Sequence, residues 1–417
     1  MNRKTDVVVV GSGIAGMSAA LVAAQCGKKV TLLTHGVGSL AISSGCLDVL
    51  GYVNGTRVSN PFDGMDLLPA EHPYSLIGED SIREAVAWFM ELTRRGDLDF
   101  AKAAEGNHNL ITVMGTLKPS YLCPDSFNPA YLEDVHRAVV VTVEDMKDVH
   151  PGLIIDQLHR YEKYADLELV EAVLPNPMGS AHRNITPLDI ARYVETPEGL
   201  EWLKNSLAPY AKLYRVFLVP PICGMKHSQQ IWNKLCDALN IKLIEMVSIP
   251  PGVAGLRLRE IFKKALNAAG VYTVENTEVV RAEVEQGACK ALFTMTSAGE
   301  NRWEADEFII ASGGLLGGGI GTAPGKAWET IFGLSLDMPA NTEEWSSPDI
   351  FGSSLFASMG VKANNELKPI DNEGNVLLSN VRFAGRILGG YDFAAEKSGH
   401  GVALATGWHA GMLAGKE

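Results

Sequence analysis

The chain is short of several things that would assign it quickly. Its six cysteines, Cys26, Cys46, Cys123, Cys223, Cys236 and Cys289, form no C-x-x-C pair. That excludes the usual ligand spacings of iron–sulfur and zinc centres, and no metal site is expected. No run of 18 apolar residues occurs, so no membrane-crossing helix is expected. Met1 to Asp6 runs directly into a β-like stretch, without the apolar core and cleavage site of a secretion signal. Basic residues are in deficit, with Lys+Arg 36 against Asp+Glu 49 and a net charge of −13. This disfavours nucleic acid as the main partner. No internal repeat or low-complexity run stands out. The expectation is a cytoplasmic protein with reduced thiols, attached to a membrane only through a partner.

What is present begins at residue 6. Val7-Val8-Val9-Val10 reads as a buried parallel strand and enters Gly11-Ser12-Gly13-Ile14-Ala15-Gly16. A small-residue helix follows from Met17 to Cys26, Gly27 breaks it, and Lys29 to Leu33 reads as a second strand. Strand, glycine turn, helix, strand is the opening of a dinucleotide-binding unit. Gly11 allows the sharp turn, Gly13 lets a pyrophosphate approach the backbone, and Gly16 lets helix and sheet lie close. The free N–H groups at the helix start then face an anion. One partner of this motif is missing. No Asp, Glu or Arg lies between Asp6 and Asp48, so nothing stands ready to bind ribose hydroxyls or a 2′-phosphate. Thr34 and His35 are the candidates at the end of the second strand. The adenosine half is therefore held unusually, or is absent.

Three further regions suit the same cofactor. The first is Ser43-Ser44-Gly45, hydroxyl-rich and able to wrap it. The second is a buried strand, Phe308 to Ile310, that opens into Ala311-Ser312-Gly313. The third is the last stretch, where Leu388-Gly389-Gly390 precedes Gly399-His400-Gly401-Val402 and a closing helix. A glycine-rich helix start there aims N–H groups at a partly anionic group, such as the pyrimidine edge of a reduced isoalloxazine, worth about 0.3–1 kcal/mol when exposed. Ser312, Gly313, Gly390, Gly399, Gly401 and Val402 join the candidate contacts. The fold expected is α/β: a Rossmann-like flavin-binding domain in discontinuous pieces, residues 1–75, 250–330 and 380–417. An inserted α+β domain covers 76–249, and a smaller excursion covers 331–379.

These regions together resemble flavoproteins of the glutathione-reductase/fumarate-reductase type. The resemblance sharpens along most of the chain to the family of B subunits of anaerobic glycerol-3-phosphate dehydrogenase. Gly11–Gly16, Ser43-Ser44-Gly45, His72-Pro73-Tyr74-Ser75-Leu76, Gly115-Thr116-Leu117, Ile190-Ala191-Arg192, Gly255-Leu256-Arg257-Leu258, Ala311-Ser312-Gly313 and Leu388-Gly389-Gly390 carry it in order. The first is generic; His-Pro-Tyr-Ser-Leu and Leu-Gly-Gly are more particular.

The resemblance implies a complex with two partners, a catalytic A subunit and an iron–sulfur, membrane-anchoring C subunit. It implies oxidation of sn-glycerol 3-phosphate to dihydroxyacetone phosphate, with electrons passed to quinone. It also implies FMN, as the family is usually described, whereas the glycine turn favours FAD. Oxidising an alcohol this way calls for a base on the hydroxyl, and a phosphorylated substrate calls for arginine. His400, then His72, are the candidate bases. Arg183, Arg257 and Arg386 are the candidate phosphate ligands. Cys46, next to the serine–glycine loop, has no second cysteine in sequence to resolve a redox step. Two other readings stand beside this one. One is a flavin relay and docking protein whose substrate chemistry lies on the catalytic partner, and the other is a stand-alone fumarate-reductase-like FAD enzyme.

Overall fold

The computed structural model describes residues 2–103, 105–179, 184–296, 299–349 and 352–416. It divides the chain into two compact units. One is Met1–Ser39, Asp48–Phe89 and Phe262–Glu417; the other is Leu40–Leu47 and Met90–Ile261. The expected boundary at 76 falls inside a helix, Pro73–Arg95, broken only by a non-helical Gly78. Residues 331–379 belong to the first unit, and Ser43, Ser44 and Gly45 belong to the second.

The first unit is built on β1 (Asn2–Val10), α1 (Ile14–Gln25) and β2 (Val30–Leu33). Val7, Val8 and Val9 are buried, as the unbroken valine run requires of a strand covered on both faces. Strands lie in the order Tyr272–Val274, β2, β1, Gly299–Ile310, Ala288–Thr296, Val279–Glu285, with Val381–Phe383 also on Gly299–Ile310. β1 pairs in parallel with β2 and with Gly299–Ile310, and the last three strands of that order form an antiparallel meander. The buried strand expected at Phe308 to Ile310 is the end of one longer strand, Gly299–Ile310, whose start pairs with Ala288–Thr296 and whose end pairs with Val381–Phe383.

The closing helix, Gly399–Lys416, packs along α1. Glycines make the approach possible. A Cβ at Gly407 would stand 2.3 Å from Ala15 O, and one at Gly411 would stand 2.7 Å from Ala19 O. Gly385 N–H donates to Thr406 Oγ1 of the same helix at 2.9 Å.

The second unit contains a parallel sheet in the order Glu168–Leu174, Arg137–Val143, Val216–Val219, Lys242–Glu245. Helices fill the connections: Pro151–Leu158, then Pro187–Val194 and Pro197–Ala211, then Ser228–Leu239. Thr186 and Asp189 form a capping box that starts the second of these. Two short antiparallel pairs accompany the sheet, Phe100–Lys102 with Leu122–Pro124 and His108–Ile111 with Leu117–Ser120. The unit thus keeps both kinds of element, but its main sheet is all parallel with a helix in every connection.

One buried carboxylate makes a testable statement about this fold. Glu329, in the first unit, accepts N–H groups of Ile331 at 3.0 Å and Phe332 at 2.7 Å. Burial pushes its carboxyl up to about 7, against the pull of those donors. A carboxyl raised on folding binds its proton more tightly in the native state. Its contribution is therefore full below the unfolded value and is lost as pH rises through about 7. Glu329→Gln is expected to flatten the fall in Tm between pH 5 and 7.5 that the wild type shows. An unchanged pH profile would mean that this carboxylate is ionised throughout.

Candidate functional site

The site of the first unit forms where parallel strands end. Ala311 N–H donates to Val10 O at 2.8 Å and Ala384 N–H to Ile310 O at 2.9 Å. The segments after β1, after Gly299–Ile310 and after Val381–Phe383 therefore open on one edge of the sheet, the edge where α/β folds bind ligands.

The glycine turn is built from three different constraints. Gly11 has φ +108°, and a Cβ there would lie 2.1 Å from Ala311 O. A Cβ on Gly16 would lie 1.9 Å from Gly11 O, so turn and helix touch backbone to backbone. Gly13 differs. The nearest atom to a Cβ there is Ser39 Oγ at 3.8 Å, so its empty side faces open space. Gly13 is also the N-cap of α1, with no side-chain cap and no acid in the first turn formed by Ile14, Ala15 and Gly16. A helix start with uncapped N–H groups and an open glycine is a cradle for an anion. Ser12 Oγ donates to Gly36 O at 2.8 Å and fixes the loop that follows β2. Thr34 is buried with its backbone tied to Val274 and Thr277, while His35 is exposed.

Ser312 adds a second feature that suits a polar ligand. Its hydroxyl is buried and has no hydrogen-bond partner. An unsatisfied buried hydroxyl costs on the order of 1–3 kcal/mol, which a bound polar group recovers. Gly313 beside it has φ +80°. The residues present thus fit a phosphate-bearing flavin: Gly13, Ile14, Ala15 and Gly16 toward the pyrophosphate, Ser312 as a polar contact.

The later glycines are spent differently. A Cβ on Gly390 would lie 2.8 Å from Glu71 O, and one on Gly401 would lie 2.2 Å from Tyr74 Oη. Gly401 N–H donates to Asp48 O at 2.8 Å, and a Cβ on Gly399 would lie 3.3 Å from the ring of Phe393. Val402 is buried. These four positions pack the chain on itself. His400 stands half-buried in the first turn of the closing helix.

His72 is fully buried with both ring nitrogens engaged. Nδ1 accepts the Tyr74 N–H at 3.0 Å, so Nε2 carries the hydrogen and donates it to Glu396 Oε2 at 3.2 Å. Glu396 also accepts from Ser398 Oγ at 2.8 Å and from Asp392 N–H at 3.0 Å. With no lone pair available, His72 holds Glu396 in place and is not offered to a substrate proton. Sequence reading missed this carboxylate, whose only signal was its place four residues before His400.

The arginines separate cleanly. Arg183 lies outside the described residues. Arg257 is buried in the second unit and bidentate to Glu245, with Nη1–Oε2 at 2.6 Å and Nη2–Oε1 at 2.9 Å; Nε donates to Gly224 O at 2.9 Å. A phosphate would have to displace Glu245, so the geometry does not offer Arg257 to a substrate. Arg386 is different. Nη2 donates to Ala357 O, while Nη1 is buried without a partner. Its guanidinium lies 5.6 Å from the ring centre of Tyr391 and 4.8 Å from that of Phe393. The Tyr391 hydroxyl is also buried and unpartnered. Burial holds that phenol well above its ordinary pKa, against the opposing effect of Arg386, so it stays a neutral donor.

Ser43, Ser44 and Gly45 stand in the second unit, where Ser43 Oγ accepts the Gly45 N–H at 3.2 Å. A Cβ on Gly45 would lie 2.4 Å from the Ala254 backbone. Among the described residues no cluster of His, Cys, Asp and Glu could hold a metal ion, and no helix is long and apolar enough to cross a membrane.

The comparisons with known proteins agree with this geometry. The model of the FAD binding domain family matches residues 6–402. A probable B subunit of anaerobic glycerol-3-phosphate dehydrogenase from Halobacterium salinarum is 31% identical over 99% of this chain and 98% of its own length. The B subunit of anaerobic glycerol-3-phosphate dehydrogenase from Vibrio vulnificus is 30% identical over 96% of this chain and 94% of its own. The family's description and the open glycine turn both favour FAD over FMN as the flavin. The chain belongs to the FAD binding domain family and, within it, to the B subunits of anaerobic glycerol-3-phosphate dehydrogenase.

Proposed function

We propose that this chain is the flavin-bearing member of a complex that oxidises sn-glycerol 3-phosphate to dihydroxyacetone phosphate. Electrons leave through an iron–sulfur C subunit to quinone, and a catalytic A subunit completes the soluble pair. The chain works in the cytoplasm, held at the membrane through its iron–sulfur partner. The observation that carries the reading is the open, uncapped helix start at Gly13 in a chain whose full-length relatives are B subunits of that dehydrogenase.

A flavin held by the Gly13 helix start and Ser312 would supply the two-electron acceptor for alcohol oxidation, one able to hand electrons on singly. The chain's own residues do the rest. Arg386 Nη1 and the Tyr391 hydroxyl, buried and unpartnered, bind the substrate phosphate and orient the alcohol. His400 takes the proton of the C2 hydroxyl at a ring nitrogen. Among the contacts of the glycine turn, Ser12 shapes the loop and Thr34 and His35 border the adenosine side.

The second reading, a relay protein with substrate chemistry on the catalytic partner, is favoured by one observation: His72 and Arg257 are both fully engaged within the protein. Flavin bleaching on anaerobic addition of glycerol 3-phosphate to the isolated holoprotein separates the two. Bleaching is expected, and Arg386→Ala is expected to raise the substrate concentration for half-maximal bleaching about tenfold to a hundredfold, the worth of a charged hydrogen bond. Bleaching only after the catalytic partner is added would assign the substrate chemistry to that partner.

A further inference from the structure

Cys46 looks solitary in sequence, but the fold gives it a neighbour. Leu47 and Leu122 form an antiparallel bridge. They exchange both backbone hydrogen bonds, Leu47 N–H to Leu122 O at 2.9 Å and Leu122 N–H to Leu47 O at 3.2 Å. The bridge is isolated, since the next amide, Gly45 N–H, turns to Ser43 Oγ; Cys46 and Cys123 flank it at the positions that a continued ladder would oppose in its non-hydrogen-bonded register. Opposed Cα atoms in that register are about 4.5 Å apart and their side chains share a face. A disulfide spans Cα separations of roughly 4.4–6.8 Å. The side chains do share a face: Cys46 and Cys123 belong to one small core, with Leu110, Phe127, Val247 and Ala254. Both are buried thiols.

We propose that Cys46 and Cys123 are an oxidation site, a thiol pair that a peroxide converts to an intramolecular cross-strand disulfide. One thiolate attacks hydrogen peroxide, the O–O bond breaks, and a sulfenic acid and hydroxide form. The second thiolate attacks that sulfur, the S–S bond forms, and a second hydroxide leaves. Protons from the two thiols convert both hydroxides to water, so two thiols and one peroxide give one disulfide and two waters. The product staples the segment Leu40–Leu47, with Ser43, Ser44 and Gly45, to the strand Leu122–Pro124.

The environment sets the rate. Burial, and then the nearby Cys46 sulfur, hold the Cys123 thiol well above its ordinary value, with Asp125 acting the same way and Lys118 opposing. The thiolate fraction is small at pH 7, so the reaction is slow there and accelerates as pH rises. Cys223 and Cys236, the other cysteines of this unit, belong to a different core.

The test uses the full chain with its flavin. Protein treated with hydrogen peroxide is alkylated, digested without reductant and analysed by mass. The expected result is one linked peptide pair containing Cys46 and Cys123, two hydrogens lighter than the sum and abolished by dithiothreitol. It should form several-fold faster at pH 8.5 than at pH 7, with Cys223→Ser leaving it intact. In Cys123→Ser the product at Cys46 should stop at a sulfenic acid that dimedone traps. Because the wild-type peptide map needs no variant, a folding defect in Cys123→Ser leaves the result readable. Peroxide treatment that links other cysteines, or that yields only separate oxidation at Cys46 and Cys123, overturns the proposal.

Discussion

Gly13→Asp is expected to strip the flavin from the protein while leaving the apoprotein as stable as before. The two effects part because Gly13 has no steric duty: a Cβ there meets nothing nearer than Ser39 Oγ at 3.8 Å, and its φ of −74° is open to any residue. Aspartate is moreover a good N-cap, so α1 gains a few tenths of a kcal/mol. The new carboxylate would stand where the pyrophosphate docks. Two like charges about 4 Å apart repel by roughly 4 kcal/mol at an effective dielectric of 20, close to a thousandfold in affinity. Flavin retention after gel filtration and the Tm of the apoprotein are the two measurements. Loss of flavin with an unchanged apoprotein Tm is the expected pair of results; full retention would move the pyrophosphate away from α1. Gly11→Ala makes the contrast. At φ +108° and 2.1 Å from Ala311 O, its Cβ strikes backbone, so the fold itself should fail first.

Arg257→Ala is expected to destabilise the protein by about 3–5 kcal/mol, the cost of leaving the partner charge buried and alone. Glu245 would lose both guanidinium hydrogen bonds, keeping only the Cys223 N–H at 2.9 Å and Ser126 Oγ at 2.8 Å. Urea denaturation of wild type and variant measures this. Arg257→Lys should recover part of the loss, since one ammonium can reach one carboxylate oxygen but not both. Were Arg257 a phosphate ligand instead, the variants would leave the unfolding midpoint nearly unchanged and raise the KM for glycerol 3-phosphate.

What could be read from the sequence was what depends on neighbours along the chain. The demands on Gly11, Gly13 and Gly16 are local, so strand, turn and helix were visible together with the anion they face. The apolar face of Ile231, Trp232, Leu235 and Cys236 has helical spacing too, but the strand after it, Lys242–Glu245, is only four residues long with a charge at each end and carries little signal of its own. Partnerships across the chain were not legible. Arg257 looks like any helix arginine until Glu245 is brought against it, and His72 looks like a free base until Glu396 closes on Nε2. Gly390 and Gly401 carry the composition of a ligand loop but serve close packing against Glu71 and Tyr74. Composition cannot distinguish a glycine that makes room for a cofactor from one that makes room for protein.

The pairing of β1 with Gly299–Ile310, and the glycine seam between α1 and Gly399–Lys416, also bear on how the chain emerges from the ribosome. The parallel sheet of the second unit uses only residues 137–245 and can close while the rest is still being made. The turn at Gly13 is synthesised before the second unit's sheet, whereas Gly299–Ile310, one of the two strands beside β1, and the helix Gly399–Lys416 behind α1 are synthesised after it. Until then β1 has β2 and α1 as neighbours but lacks its second strand, and the flavin cradle is open on that side. Cofactor capture therefore waits for Gly399–Lys416, and a ribosome stalled before residue 399 would carry a finished second unit and an unfinished first one.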